Sequence, residues 1–238
     1  QGAADAGAQW SIDGGTTWRN SGTTIQALLT GPFTITFSPI QGGYGTPADM
    51  NITLAQGANT FEGRYTWTWN VNPDGSADFT TIQAAIDGSA PGDTILVAPG
   101  TYNEFLNINK DDLIIRSTGG ASVTTVNIQV RTSGQGGVVG GVVFYNSGIT
   151  LDGFTIQDST VQSGEIKIIR IGNAPADSNN NTLTNCVIKG NIDTPTNKTD
   201  YGILVYGSDN TISGNEICNV GYTGINVVGG PWSDDQGN

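Results

Sequence analysis

The hexapeptide Leu151-Asp152-Gly153-Phe154-Thr155-Ile156 decides the fold, because its pattern recurs further along the chain. Residues 183–188 and 212–217 repeat it at offsets of 32 and 29 residues, with an apolar residue at the first and last position of each copy. A second pattern, at residues 202–207, returns 22 residues later at 224–229. Self-similarity at such spacings is typical of a solenoid in which each copy supplies one strand and one turn. The repeats therefore predict an all-β chain wound into a parallel β-helix, with apolar columns inside and glycine and asparagine at the corners.

The alignment of the repeats also predicts which apolar side chains stack. Inward positions recur once per coil, about 4.8 Å apart along the solenoid axis. The predicted buried columns are Ile156 with Ile188 and Ile217, Ile203 with Ile225, and Val205 with Val227. Two other architectures also contain many short strands. A second β-sandwich predicts turns every 8 to 12 residues or so without this column-wise similarity, and a propeller needs blade repeats of about 40 to 50 residues, which these offsets do not match.

Composition and charge limit the classes of partner. Hydrophobic residues make up 36% of the 238 positions, glycine occurs 35 times and charged residues amount to 13%, a composition that favours a packed, turn-rich protein with few charged helix faces. Nine Lys and Arg against 21 Asp and Glu give a net charge of −12. This charge repels polyphosphates, so nucleic acid is not a predicted partner. No apolar run approaches the roughly 18 residues that span a bilayer, so membrane insertion is not predicted either.

The start of the sequence indicates secretion. It begins at Gln1 and continues through small residues to Ala8, as a mature chain does after its signal peptide has been removed, and a trimmed expression product begins in the same way. Asn51, Asn180 and Asn197 each begin an Asn-X-Ser/Thr sequon, so they are candidate glycosylation sites. We therefore expect a secreted protein, extracellular or attached to a cell surface.

Residues 1–66 carry a different pattern, of short alternating strands separated by glycine turns. The period-two alternation with Gly-Pro and Gly-Gly breaks predicts a small antiparallel β-sandwich ahead of the solenoid. The candidate strands are residues 10–12, 24–28, 33–37 and 50–54. The run Gly31-Pro32-Phe33-Thr34-Ile35-Thr36-Phe37, with residues 43–47 and 63–66, resembles small repeat modules of bacterial secreted and surface proteins. This resemblance implies a spacer or adhesion unit.

Residues 67–238 are predicted to form the solenoid, which begins with one short helix at about residues 78–87. Phe79, Ile82 and Ile86 form the apolar stripe of the helix. Asp78 is its predicted N-cap, and Gly88 is predicted to end it. Together with Gly92-Asp93-Thr94-Ile95-Leu96-Val97-Ala98-Pro99-Gly100-Thr101-Tyr102-Asn103-Glu104, this segment resembles the N-terminal cap and first turn of pectin methylesterase-like β-helices. The resemblance implies a right-handed parallel β-helix whose open end is plugged by the capping helix.

The same resemblance implies a function to test. Solenoids similar to pectate lyases, pectin methylesterases, alginate lyases and C5-epimerases act on acidic polysaccharides along an outward groove of a parallel sheet. The chain has no His, which removes the commonest general base, and the segments that carry catalysis in pectin methylesterases have no counterpart in it. Lyases can instead use Arg or Lys as a base beside Ca²⁺. No catalytic residue is therefore predicted, and whether the chain is an enzyme stays open.

A strand with two cations is the nearest approach to a binding site. Lys167 and Arg170 lie three residues apart in it, and the repeat register places Arg170 on the outer face in one column with Leu204 and Asn226. Tyr206 lies one step along the neighbouring strand. Outward Arg, Tyr and Asn side chains on adjacent coils can hold a sugar carboxylate and stack a sugar ring. The candidate ligand-binding residues for a polysaccharide are Lys167, Arg170, Tyr206 and Asn226. The alternative is that they are ordinary solvated side chains of an exposed sheet.

Metal binding has a weaker basis in the sequence. Ca²⁺ needs six to eight converging oxygens, which Asp and Asn on adjacent coils could supply, so Ca²⁺ is the one candidate cofactor. No EF-hand or RTX spacing is present, and no metal ligands are predicted. The competing interpretation places these acidic residues at corners, because Asp and Asn tolerate tight turns.

Cys186 and Cys218, the two cysteines of the chain, are predicted to be unbonded to each other. Two cysteines in a secreted protein favour a disulfide. The repeat alignment, however, places Cys186 with Phe154 and Asn215, three positions along the strand from Cys218. That stagger is about 10 Å, which is too far for a disulfide.

Two function hypotheses follow from the sequence. The first is a non-catalytic extracellular scaffold or carbohydrate-recognition protein. Its last coil, before Asn238, has no visible closing element and is expected to be covered by another copy in a head-to-tail assembly. The second is the N-terminal portion of a secreted polysaccharide lyase or esterase.

Overall fold

The computed structural model describes residues 4, 6–26, 28–129, 131–132, 138–158, 164–172, 178–191 and 198–228. The chain divides into two compact units, residues 1–68 and residues 69–238. No helix in the described part of the chain is long and apolar enough to cross a membrane.

The first unit contains one antiparallel sheet. Its strands are β1 (Gln9–Ser11), β2 (Arg19–Asn20), β3 (Gly31–Phe37) and β4 (Met50–Leu54), in the spatial order β2-β1-β3-β4. The predicted strand at residues 24–28 has no ladder partner among the described residues. The predicted two-layer sandwich is therefore not confirmed, because the described part of this unit supplies one sheet where a sandwich needs two.

The second unit begins with β5 (Thr68–Val71) and α1 (Ile82–Gly88), whose buried residues are Ile82, Ala85 and Ile86. The predicted capping helix is confirmed, but its predicted N-cap is wrong. Thr81 caps the helix, since its hydroxyl accepts a hydrogen bond from the Ala84 N–H at 3.3 Å. Asp78 instead accepts a hydrogen bond from the Asn70 N–H at 2.8 Å.

A carboxylate from the first coil also caps α1. The two carboxylate oxygens of Glu104 accept hydrogen bonds from the N–H groups of Ile82, at 2.9 Å, and Gln83, at 2.8 Å. These two donors belong to the first turn of the helix, where no intrahelical acceptor exists for them. Glu104 therefore joins the capping helix to the solenoid that it covers.

The described residues after α1 form five coils, and each coil contributes one strand to each of three parallel sheets. The first coil has β6 (Thr94–Val97), β7 (Gly100–Glu104) and β8 (Leu106–Ile108); the second has β9 (Ile114–Ser117), β10 (Thr124–Ile128), β11 (Arg131–Thr132), β12 (Val138–Gly140) and β13 (Val142–Phe144); the third has β14 (Thr150–Asp152), β15 (Thr155–Gln157) and β16 (Gly164–Ile171); the fourth has β17 (Thr182–Thr184), β18 (Val187–Lys189) and β19 (Lys198–Tyr206); and the fifth has β20 (Thr211–Ser213), β21 (Glu216–Cys218) and β22 (Thr223–Val228). β11 and β12 pair antiparallel as an excursion from the second coil.

The strands of successive coils form three parallel sheets. The first sheet runs β20-β17-β14-β9-β6-β5, the second runs β21-β18-β15-β10-β7, and the third runs β22-β19-β16-β13-β8. Connections between parallel strands of one sheet are right-handed in nearly all proteins. The right-handed parallel β-helix predicted from the repeats is thus confirmed.

The predicted register is confirmed, but the predicted burial fails in the fifth coil. Ile156 pairs with Ile188 and Ile188 with Ile217. Ile203 pairs with Ile225, and Val205 pairs with Val227. Ile225 and Val227, however, are 45% and 65% exposed. Both side chains are exposed because β22 is the outermost strand of its sheet among the described residues. The described residues of the preceding coil therefore cover them from one side only.

One corner of the solenoid needs a left-handed backbone conformation in every coil. Two residues before successive strands of the first sheet stand Gly92, Asp112, Gly148, Asn180 and Asp209, with φ values of 82°, 57°, 73°, 57° and 58°. Asn, Asp and Gly adopt this conformation at lower cost than other residues. The asparagines and glycines that the sequence analysis assigned to corners therefore hold the turns.

Both cysteines are free, as predicted. The Cys186 N–H donates to Asn215 Oδ1 at 2.9 Å, and the Phe154 N–H donates to Cys186 Sγ at 3.5 Å, so these three residues lie in one column. Cys186 is 1% exposed, whereas Cys218 keeps intermediate exposure. Burial raises the pKa of the Cys186 thiol to about 11.

Candidate functional site

The third parallel sheet brings the predicted ligand-binding residues onto neighbouring strands. Arg170 on β16 lies opposite Leu204 on β19, which lies opposite Asn226 on β22. Lys167 lies opposite Tyr201, and Tyr206 lies opposite Val228. The predicted column of Arg170, Leu204 and Asn226 is therefore present in the register of the sheet.

Lys167 and Arg170 share a face although they are three positions apart on the strand. Strict alternation along β16 would place them on opposite faces. Ile166, Ile168, Ile169 and Ile171 all belong to the buried core, which leaves Lys167 and Arg170, both partly exposed, outside it. Two consecutive core residues, Ile168 and Ile169, thus shift the alternation by one position.

Glycines allow the strands to bend at this shift. The register places Gly202 of β19 beside Ile168, and Gly224 of β22 beside Gly202. A Cβ on Gly202 would lie 2.5 Å from the Gly224 carbonyl oxygen, so a larger residue does not fit between the strands here. Tyr201 shares the outer face with Lys167, because the two residues are partners in the parallel ladder.

Two tyrosine rings lie at the Lys167 end of this face, and the sequence pattern did not identify them. The ring centroids of Tyr201 and Tyr222 are 5.1 Å apart with an interplanar angle of 59°. Tyr222 is 64% exposed and Tyr201 is partly exposed. The available signal was the register, because the offset that aligns Arg170 with Leu204 also aligns Lys167 with Tyr201. We call Lys167, Arg170, Tyr201, Tyr206, Tyr222 and Asn226 the candidate face.

The candidate face is not a continuous polar surface. Arg170 donates from Nε to the Gly172 carbonyl oxygen at 2.9 Å, which holds the guanidinium near the end of its strand. Leu204, between Arg170 and Asn226, is only 4% exposed although it lies outside the core cluster. The part with both positive charge and accessible rings is therefore the end near Lys167, Tyr201 and Tyr222. Such a combination can stack a ring and attract an anion.

The described part of the chain holds no group of three or more His, Cys, Asp or Glu side chains placed to bind a metal ion. The carboxylate of Asp152, the last residue of β14, accepts hydrogen bonds from Arg116 Nε at 2.8 Å and from Asn185 Nδ2 at 2.9 Å. The candidate cofactor Ca²⁺ thus receives no ligand set from the described residues.

Two of the three candidate glycosylation sites lie in the described part. Asn51 is exposed on β4, where its Oδ1 accepts a hydrogen bond from Thr34 Oγ1 at 2.8 Å. Asn180 is exposed at a corner with a φ of 57°. Asn197 lies outside the described residues. Glycosylation at these positions stays a prediction.

Comparisons with known proteins show similarity to solved β-helices. No model of a known protein family matches the chain, and no curated protein matches it. Among solved structures, the pectin methylesterase from Aspergillus niger is 18% identical, with a TM-score of 0.45 over 63% of this chain and 55% of that chain. The carrot enzyme is 16% identical, with a TM-score of 0.45 over 63% of this chain and 51% of that chain. The Erwinia chrysanthemi enzyme is 15% identical, with a TM-score of 0.36 over 62% of this chain and 54% of that chain.

These matches have low identity and TM-scores below 0.5. The matched regions span about half the length of the pectin methylesterases. At such identities a shared fold carries no information about which reaction, if any, a chain performs.

Proposed function

We propose that this chain is an extracellular, non-catalytic recognition protein that binds an acidic polysaccharide on the candidate face of its third sheet. One observation carries the proposal: the Tyr201–Tyr222 ring pair lies at the part of the third sheet where Lys167 of β16 is opposite Tyr201 of β19, and Arg170 lies further along β16. Aromatic rings provide flat apolar surfaces for sugar rings, and cations provide partners for their carboxylates.

The charge of the chain makes this pair of cations unusual. With nine Lys and Arg among 238 residues and a net charge of −12, most of the surface repels an acidic polymer. Two cations three residues apart on one strand therefore provide a local attraction that the rest of the sequence lacks. A polymer with repeated carboxylates fits this arrangement better than a neutral one.

The spacing of the strands also suits a polymer. Parallel strands lie about 4.8 Å apart, so β16, β19 and β22 present side chains over about 10 Å. That span is enough for two sugar residues, with Lys167 on the first strand and Tyr222 next to the third. Binding through few contacts is expected to be weak for a short oligosaccharide and stronger for a polymer that can engage repeatedly.

Isothermal titration calorimetry with oligogalacturonates tests the proposal. The variant Lys167→Ala with Arg170→Ala should weaken binding at least tenfold, and Tyr222→Ala should weaken it several-fold. Lys189→Ala is the matched control, because Lys189 is an exposed lysine on β18 of the second sheet. A neutral oligosaccharide of equal length should bind more weakly than the oligogalacturonate. Equal affinity of the double variant and the control variant would refute the site.

The alternative function, part of a polysaccharide lyase or esterase, is tested with the same ligand. Incubation of the chain with methyl-esterified and with free polygalacturonate should release neither methanol nor unsaturated uronates. Release of either product that is lost in the Lys167→Ala, Arg170→Ala variant would establish an enzyme instead.

Assembly with another copy is a second candidate role, and it rests on the exposed apolar residues of β22. Ile225 and Val227 are 45% and 65% exposed, and outermost strands with apolar side chains readily recruit another strand. Sedimentation velocity of the chain at increasing concentration should show association, and Val227→Lys should reduce it. A monomer at every concentration would refute this role.

A further inference from the structure

The first unit contains a cavity of about 410 Å³ on one face of its sheet. The sheet side is formed by alternate residues of its strands, and residues 21–25 and 59–63 form the opposite wall. The apolar residues that line it include Trp10, Phe33, Phe37, Ile52, Leu54 and Phe61. Apart from the buried Ile35, most of these side chains keep partial exposure, so the cavity is open to solvent. A space of this size lies within the range of small-molecule sites and exceeds the voids that a packed core leaves.

Alternation along two strands separates this cavity from the polar side of the sheet. Phe33 on β3 and Ile52 on β4 line the cavity and lie opposite each other in the ladder. The neighbouring pair, Thr34 and Asn51, faces the other way and is joined by a hydrogen bond of 2.8 Å. The apolar face is therefore a regular feature of the sheet rather than a set of scattered residues.

Three polar groups of the lining form hydrogen bonds within the first unit. Trp10 Nε1 donates to the Asn20 carbonyl oxygen at 3.1 Å, and the Tyr65 hydroxyl donates to the Ser38 carbonyl oxygen at 2.6 Å. Asn59 Nδ2 donates to the Ala55 carbonyl oxygen at 2.9 Å. Among the described lining residues, Glu62 is the one side chain that is charged at neutral pH. Besides rings and aliphatic groups, the lining includes Ser and Thr hydroxyl residues, and none of its described residues is a Lys or Arg that would attract an anion.

A glycine shapes one wall of the cavity. Gly63 lies directly against the ring of Phe37, so any side chain at this position would collide with the ring. The backbone of residues 59–63 can therefore approach Phe37 closely. This contact closes the cavity on the side of Phe37, so the open space lies beside the remaining lining residues.

We propose that this cavity binds an uncharged, apolar small molecule that carries at least one ring. Aromatic side chains on the sheet provide edge and face contacts for a ring. All residues that line the cavity belong to the first unit, and none of them belongs to the candidate face on the third sheet. Binding here would give the chain a second ligand of a chemical class opposite to that of an acidic polysaccharide.

Fluorescence titration with N-phenyl-1-naphthylamine tests this inference, because the probe is neutral, has aromatic rings and brightens in apolar surroundings. The native chain should bind it saturably with one site per chain. Ile52→Trp fills the cavity from β4 and should weaken binding at least tenfold. Thr53→Trp places the same side chain on the opposite face of the same strand and should leave binding unchanged.

Folding of each variant is checked by circular dichroism and by its thermal transition. Should Ile52→Trp fail to fold, Ala8→Leu replaces it, since Ala8 is buried and lines the same cavity. Three results would overturn the proposal: no saturable binding to the native chain, equal binding by a folded cavity-filling variant and the native chain, or equal weakening by Ile52→Trp and Thr53→Trp. Weakening confined to the cavity-filling variant supports it.

Discussion

Single residues of the buried columns carry the stability of the solenoid. Ile188 is fully buried between Ile156 and Ile217, which belong to the coils on either side. Its neighbour Lys189 points to the outer face and is exposed. These two adjacent residues therefore separate the effect of core packing from that of the strand itself.

Replacing Ile188 by Ala should lower the free energy of unfolding by about 2 to 5 kcal/mol, because it removes buried methyl groups and leaves a cavity. Ile188→Asp should prevent folding, since it buries a charge among aliphatic side chains. Lys189→Ala should change the stability by no more than about 0.5 kcal/mol. Urea unfolding followed by circular dichroism measures all three, and equal effects at positions 188 and 189 would contradict the assigned register.

The thiols of Cys186 and Cys218 should react at very different rates. Burial raises the pKa of Cys186 to about 11, so at pH 8 this residue is almost wholly protonated as well as inaccessible. A thiol reagent at pH 8 should modify one cysteine of the native chain quickly and the second only in urea. Cys218→Ser should abolish the fast reaction. Two fast thiols, or a disulfide-linked peptide recovered without reduction, would contradict the structure.

At the scale of elements, the capping helix shows what a local sequence pattern can predict. The apolar stripe at Phe79, Ile82 and Ile86 predicted the helix, and its end at Gly88 agrees with the structure. The start was misplaced at Asp78, since the groups that hold it are Thr81 and a carboxylate 22 residues away in sequence from Ile82. A long-range cap leaves no signal in the window of sequence around the helix.

Glu104→Gln should lower the free energy of unfolding by about 1 to 3 kcal/mol, because a charged acceptor of two helix N–H groups becomes a neutral amide. Glu216→Gln is the control, since Glu216 is an exposed glutamate on β21. Urea unfolding should show the loss for position 104 alone. Equal stability of the two variants would show that the carboxylate does not hold the helix.

The candidate face shows where sequence reasoning ends. Inward positions repeat an apolar residue from coil to coil, and that repetition predicted the pairing of Ile156 with Ile188, which the structure confirms. Outward positions have no such repetition, so the pattern did not identify Tyr201 and Tyr222 as site residues. The consecutive core residues Ile168 and Ile169 also break the alternation from which the facing of Lys167 could be inferred. In the first unit, alternation predicted β3 and β4, but it does not say how many strands share a layer.

At the scale of the whole molecule, the two proposed sites have opposite chemistry and belong to different units. The solenoid presents cations and tyrosines on one face of a chain whose net charge is −12. The first unit presents an apolar cavity of about 410 Å³ with one charged lining residue among those described. Electrostatic attraction between exposed groups weakens with salt, so polysaccharide binding should fall as ionic strength rises, while binding of the neutral probe should not.

Hydrogen–deuterium exchange of the chain with and without an oligogalacturonate tests the central claim most directly. The ligand should slow exchange in peptides from β16, β19 and β22, around Lys167, Tyr201 and Tyr222. Exchange in the strands of the first and second sheets should stay unchanged. The Lys167→Ala, Arg170→Ala variant should lose this protection under the same conditions. Protection on another sheet, or no protection at a ligand concentration that saturates binding, would contradict the claim that the third sheet is the recognition face.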